Sequence, residues 1–269
     1  MFNDEVNDLI FDVGAHTGED SEYYLKMGYR VLAIEANPVL AENLRSRFAE
    51  EIRDGRYVLV ERAISKTDGP VTFFINEHNT AWGTANPEWA KRNKDMGSDS
   101  ERISVESIRF IEVLKAHGCP HYLKIDVEGA DMLCVDELHG IEARPRYISL
   151  ESSKTSWSDL LNEFRALESL GYTRFAVVDQ RSHPARDFRN RNGQTIHHTF
   201  EKGSTGPFGE HLRCRWLTRE QAIRRYVWIF FLYRTLGDNT FLSRFIDRIP
   251  VLRRGLALVS WYDTHAACD

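Results

Sequence analysis

The chain has 269 residues, a net charge of −5, 28% charged and 42% hydrophobic residues, and four cysteines. That length buries a sizeable core, and one α/β domain with appendages is the simplest division. The acidic balance argues against a mainly electrostatic nucleic-acid binder, and Cys119, Cys134, Cys214 and Cys268 have neither metal-type spacing nor the density of a disulfide framework.

In chain order, Leu9 to Val13 is an apolar run carrying Asp12, followed by Gly14 and Gly18 and a helical pattern from Glu19 to Met27 that Gly28 stops. The first strand begins within ten residues, leaving no room for a cleaved signal. Strand, tight turn and helix N-terminus in this order are how open α/β sheets hold a cofactor. The glycines lack a Cβ where the backbone must turn and approach a ligand, and the first N–H groups of the helix favour a carboxylate or phosphate. Gly14-x-His16-x-Gly18 lacks the G-x-G-x-x-G of dinucleotide sites and fits the D-x-G-x-x-x-G loop of S-adenosylmethionine-dependent methyltransferases. The second strand, Tyr29 to Glu35, ends in an acid about 20 residues beyond the turn, within reach of both hydroxyls of a ribose.

Asn37-Pro38 starts a helix to about Ala49, because proline is harmless in a first turn. Tyr57 to Ile64 is a third strand, with Val71 to Ile75 expected as its hairpin partner across Thr67-Asp68-Gly69-Pro70. Residues 76–100, with Asn79, Trp82, Gly83 and Trp89, lack a clean period and read as a lid-like insertion. Ile103 to Val105 is a short strand and Ser107 a helix cap. His121 to Asp126 is strand four, Arg146 to Glu151 strand five, Ser158 to Leu170 a helix and Thr173 to Val178 another strand. This alternation predicts a Rossmann-like, doubly wound, mostly parallel sheet with helices on both faces. The irregular residues 179–215 follow as acceptor-side loops. Thr218-Arg219-Glu220-Gln221 is a capping box, and residues 218–269 read as a helical C-terminal extension to a catalytic domain of residues 1–217. The run from Tyr226 to Tyr233 is apolar on nearly every face but too short to span a bilayer, so no stable membrane insertion is expected. Burial within the chain or against a second copy is expected instead, most readily between two copies, with membrane-surface attachment the lesser alternative. A soluble, cytoplasmic protein is expected.

Four strand-end acids, Asp12, Glu35, Asp126 and Glu151, fall at the edge where doubly wound sheets bind ligands. Like charges gathered there call for a cationic or donor-rich ligand, and a sulfonium-and-ammonium cofactor is one. Asp126 and Glu128 flank the point where a reactive methyl would sit, and a hydroxyl acceptor needs a base or a metal. Asp126 and Glu151 are carboxylates suited to either role, although nothing in the spacing demands a divalent cation. His197 and His198 are adjacent and point opposite ways on a strand. Arg181, Arg186, Arg189 and Arg191 form a basic stretch suited to an acidic glycan, phosphate or carboxylate.

Phe11-Asp12-Val13-Gly14-Ala15-His16-Thr17-Gly18, Ile34-Glu35-Ala36-Asn37-Pro38, Ala63-Ile64-Ser65 and Lys124-Ile125-Asp126-Val127-Glu128-Gly129-Ala130-Asp131 resemble the successive motifs of FkbM-type methyltransferases, and Tyr147 to Glu151 is similar to that family's next strand. The resemblance spans about residues 8 to 180. It implies S-adenosylmethionine as cofactor and O-methylation of a hydroxyl on a sugar, glycan or natural product. Asp12, Gly14, Gly18 and Glu35 would hold the cofactor, with Ala63 and Ile64 near the adenine. His16 stands in the same turn, where many methyltransferases have glycine, and Asp126 borders the methyl group. Asp126, Glu128 and Glu151 are the catalytic candidates. The alternatives are a nucleic-acid or protein methyltransferase and a non-catalytic cofactor-binding subunit. O-methylation of a small-molecule or glycan acceptor is expected over N-methylation of bases, because Asp126-Val127-Glu128-Gly129 lacks the Asn/Asp-Pro-Pro-aromatic turn that grips an exocyclic amine.

Overall fold

The computed structural model describes residues 5–76, 83–95, 99–153, 156–181, 183–201, 203–236 and 261–268. The elements run β1 (Glu5–Val13), α1 (Glu19–Lys26), β2 (Arg30–Ile34), α2 (Pro38–Arg47), α3 (Ala49–Arg53), β3 (Tyr57–Val60), β4 (Ala63–Ile64), β5 (Gly69–Asn76), α4 (Pro87–Asp95) and β6 (Ser100–Ile108). They continue with α5 (Phe110–His117), β7 (Cys119–Ile125), α6 (Asp131–Glu137), β8 (Tyr147–Glu151), α7 (Trp157–Ser169), β9 (Arg174–Asp179), β10 (Arg186–Arg189), β11 (Thr195–His198), α8 (Arg219–Leu236) and β12 (Tyr262–Ala267).

The main sheet has the order β3-β2-β1-β7-β8-β12-β9, parallel throughout its first five strands. One face carries Phe11, Leu32, Leu123, Ile148 and Val177 against α5, α6, α7 and α8. The other carries Ile10, Val31, Ala33, Tyr122 and Tyr147 beneath α1, α2 and the 200–208 loop, where Phe208 stacks on Tyr122 at 4.2 Å. The doubly wound, mostly parallel architecture is therefore the one the strand–helix alternation predicts. Asn37 caps α2 by accepting from the Val39 N–H, with Pro38 in the first turn as expected.

Three expectations are corrected. Val71 to Ile75 lies in β5, which pairs antiparallel with β6 rather than with β3, and β4 pairs parallel with β6, making a separate three-stranded sheet. Ser107 does not cap α5: it lies inside β6 and its hydroxyl donates to the carbonyls of Thr67 and Gly69 at 2.8 Å each. Residues 218–269 are not a purely helical extension. Tyr262–Ala267 enters the main sheet as β12, antiparallel to both β8 and β9, so the expected boundary after residue 217 does not separate the tail from the catalytic fold. The strand's partners among the described residues lie far back in the chain, and Tyr-Asp-Thr-His-Ala-Ala has no alternation that marks it as β.

Candidate functional site

The turn after β1 is built from left-handed residues: Gly14 at φ 81°, His16 at φ 51° and Gly18 at φ 86°. The N–H groups of Gly14 and Ala15 both donate to the Ile34 carbonyl, at 2.9 and 3.1 Å. Glu35 braces the same turn, its carboxylate accepting from the N–H of His16 at 2.9 Å and of Asn37 at 2.8 Å. Burial pushes Glu35 up to about 7, with the two N–H groups acting the other way. Each carboxylate oxygen keeps a second acceptor site.

The motif glycines serve the chain's own packing as much as ligand approach. A Cβ on Gly14 would meet the Asp126 carbonyl oxygen at 1.9 Å, and one on Gly18 would meet Phe48 at 2.6 Å and Leu44 at 2.8 Å. Asp12, expected at an open strand end, is fully buried beneath the turn. It accepts from the Ser21 hydroxyl at 2.6 Å and stands 3.0 Å from the Lys124 ammonium. Ala63 and Ile64 are buried in β4, with Ile64 inside the core that holds Phe110.

Register sets a polar row across the sheet. Asp12, Lys124, Ser149 and His265 lie side by side on β1, β7, β8 and β12, and strand alternation puts them on one face. Lys124 Nζ donates to the Gly14 carbonyl at 2.8 Å and lies 3.7 Å from Asp126. Burial works against its charge, but Asp12, Asp126 and Asp20 outweigh it and hold the ammonium protonated. Because Ile125 pairs with Leu150, Asp126 and Glu151 follow at the same level of adjacent strands, as expected for a shared edge. Asp263 on β12 pairs with Glu151 and continues the row.

Asp126 is partly open at this edge, its side chain 40% exposed. Three buried neighbours are harder to ionise than ordinary carboxyls. Burial, then Glu151 and Asp126, pushes Glu128 up to about 9. Burial and Asp126 push Asp131 up to about 8, and Asp263 is driven well above the usual carboxylate range by burial, Asp126 and Glu151. Asp263 is bonded by the Gln180 amide through one oxygen. Glu128 does not cap α6, whose N-cap is Ala130; Asp131 instead accepts from the Val127 N–H at 3.2 Å.

The insertion sits on this edge. The Thr84 hydroxyl donates to the Glu128 carbonyl at 2.6 Å, Asn86 reaches the Gly129 carbonyl at 3.5 Å, and Trp89 lies so close to Gly129 that a Cβ there would stand 2.5 Å from its ring. The Arg92 guanidinium stacks 4.6 Å from the Trp89 ring centre. Residues 83–95 of the 76–100 insertion thus pack on the Glu128–Gly129 backbone, while Asn79 and Trp82 lie outside the described residues.

The arginine stretch is not one acceptor-side cluster. Arg181 pairs with Asp179 at the end of β9, Arg186 lies over Phe188, and Arg191 lies over Tyr29 and donates to the Asn7 carbonyl. Arg186 and Arg189 ride on β10, whose hairpin with β11 packs on α1 through Phe188 and His198 against Tyr23. His197 and His198 do point opposite ways: His197 is exposed and 2.8 Å from Asp187, while His198 is buried against Tyr23 and Phe200. The 203–209 loop is anchored by Asp20, which accepts from the N–H groups of Thr205 and Gly206 at 3.0 and 3.3 Å.

Sequence reasoning missed Lys124, Asp263 and Thr84. Lys124 had a signal, since it stands two residues before Asp126 on a strand and so shares its face. Asp263 and Thr84 had none, being brought in by β12 and by the insertion. Among the described residues no group of three His, Cys, Asp or Glu side chains is placed to hold a metal ion, and no helix is long and apolar enough to cross a membrane.

Comparison with known proteins gives no match among curated sequences. Solved structures that resemble the chain include precorrin-6y C5,15-methyltransferase from Geobacter metallireducens, at 14% identity over 74% of this chain and 78% of that one with a TM-score of 0.38. The glycopeptide N-methyltransferase MtfA complexed with S-adenosyl-L-methionine is 12% identical over 98% and 88%, with a TM-score of 0.34. A methyltransferase from Geobacter sulfurreducens in complex with S-adenosyl-L-homocysteine is 10% identical over 98% and 84%, with a TM-score of 0.35. The family profile of the methyltransferase FkbM domain matches residues 12–174, from the buried acid of β1 to the start of β9, and so contains the Gly14–Gly18 turn, Glu35, the insertion and the Asp126 edge. The chain belongs to the FkbM family of S-adenosylmethionine-dependent methyltransferases.

Proposed function

We propose that the protein methylates a hydroxyl oxygen of a sugar, glycan or natural product. The observation that carries this reading is the geometry of one edge: the Asp126 side chain is 40% exposed and 3.7 Å from the Lys124 ammonium, while burial raises Glu128, Asp131 and Asp263 above the usual carboxylate range. A hydroxyl is a weak nucleophile that needs its proton removed as the new bond forms, and an accessible carboxylate at this edge is suited to take it.

The residues present fit S-adenosylmethionine. Glu35 keeps an acceptor site on each oxygen beside the turn, for the ribose hydroxyls, and no cap side chain intervenes at the start of α1, where the first-turn N–H groups suit a carboxylate. When bound, the cofactor supplies an activated methyl group. Asp126 accepts the hydroxyl proton as the oxygen–carbon bond forms. Glu128, protonated, donates a hydrogen bond that orients the acceptor, and Glu151 accepts from a neighbouring hydroxyl. Thr84 and Trp89 hold the Glu128–Gly129 backbone in place and limit access of water.

The test is incubation with methyl-labelled cofactor and fractionated glycan, lipid, RNA and protein pools. Label is expected in methyl ethers, which survive mild alkali. Label found only on nucleic-acid bases, in protein or in alkali-labile esters would overturn the hydroxyl reading.

A further inference from the structure

Helix α8 has two distinct faces. Ala222, Tyr226 and Ile229 are buried against the sheet, with the Tyr226 hydroxyl 2.8 Å from that of Thr264. The opposite arc exposes Val227 (50%), Trp228 (69%) and Phe231 (56%) in one contiguous strip. Arg224, Arg225 and Arg234 are exposed along the same arc, two of them at its margins. From Gln221 to Leu236 the helix contains no acid.

This apolar strip bordered by arginines is the pattern of a helix lying in the plane of a membrane surface, where aromatic rings enter the headgroup boundary and guanidinium groups meet lipid phosphates. The surrounding sequence has the same sign: residues 219–254 contain eight arginines, no lysine and three acids, in a chain whose net charge is −5. We infer that the exposed face of α8 docks the protein onto an anionic lipid surface. A second copy suits this face poorly. Antiparallel pairing would set Arg224 of one copy near Arg234 of the other, and the one acid beside the strip, Glu220, already accepts from the Thr218 hydroxyl. The chain's own residues 237–260, with four arginines and two acids, carry the same sign as the helix.

The direction of α8 ties the surface to the candidate site. Leu217 exchanges backbone bonds with Phe175 near the start of β9, and Phe230 packs on Trp157 at the start of α7, just beyond Glu151. The C-terminal half of α8 therefore lies at the end of the sheet that carries Asp126 and Glu151. Docking there would turn that edge toward the lipid.

Vesicle co-sedimentation of the full chain tests this without reference to activity. The protein should sediment with vesicles of phosphatidylcholine mixed with phosphatidylglycerol, bind vesicles of phosphatidylcholine alone far more weakly, and be released by added salt. Trp228→Glu/Phe231→Glu and, separately, Arg224→Glu/Arg234→Glu change only exposed side chains and should each weaken binding about tenfold or more. Circular dichroism and the melting temperature verify that both variants fold. No sedimentation of the parent with anionic vesicles would overturn the proposal. So would binding that the folded variants leave intact, or light scattering that shows a dimer broken by Trp228→Glu/Phe231→Glu in a parent that ignores lipid.

Discussion

Gly14 and Asp126 touch through their backbones: a Cβ on Gly14 would stand 1.9 Å from the Asp126 carbonyl oxygen. The cofactor turn and the candidate catalytic edge are therefore one rigid unit, also joined by the bond from the Asp126 N–H to the Val13 carbonyl at 2.9 Å. Gly14→Ala should destabilise the protein by about 2 kcal/mol or more, from steric conflict added to the left-handed φ. Urea denaturation measures this. Stability within about 0.5 kcal/mol of the parent would mean that the contact is not fixed.

Lys124 carries the largest electrostatic stake. It is buried between Asp12 and Asp126, and its removal leaves Asp12 buried with no countercharge. Lys124→Met should cost about 3–5 kcal/mol, and adding Asp12→Asn should recover part of that loss. A double-mutant cycle in urea gives both values, and additive effects would contradict the pairing.

The doubly wound, mostly parallel sheet and the turn after its first strand were legible because each rests on local signals: apolar strands, helical periods and glycines at a tight turn. What stayed hidden depends on distant pairing. Nothing in residues 262–267 announces a strand, because its partners are residues 147–151 and 174–179. Ser107 looked like a cap because a serine precedes an amphipathic stretch, yet its hydroxyl is consumed by two carbonyls some 40 residues back. The acids were found as residue types, but which of them keep protons follows from burial, which one-dimensional spacing does not contain.

His16 occupies a left-handed position, and its contact to Glu35 is made by backbone N–H. His16→Gly should therefore keep that hydrogen bond and leave stability within about 1 kcal/mol of the parent. His16→Val, β-branched at positive φ, should lose clearly more. Thermal melts of the two variants decide this. Equal melts would show that the turn relaxes.

Stability should fall as pH rises from about 7 to 9. Burial raises Glu128 to about 9 and Asp131 to about 8, so the folded chain holds protons there that the unfolded chain has already released. Stability from such raised acids is full below their unfolded values and is lost as pH climbs through the folded ones. Histidines lowered by burial, such as His265 at about 3, act below this window. The loss should reach at least about 1 kcal/mol, and Glu128→Gln should flatten it. Urea midpoints across this range provide the measurement, and a rise in stability would contradict the assignment.

The central claim is that Asp126 takes the acceptor's proton. The direct measurement is methyl transfer by Asp126→Asn to whichever fraction the parent labels, paired with calorimetric titration of S-adenosylmethionine. The substitution keeps the side chain's shape and removes its charge. Cofactor affinity should stay near that of the parent while turnover falls by about 10²–10⁴-fold. Turnover equal to the parent's, with cofactor binding intact, would contradict the account.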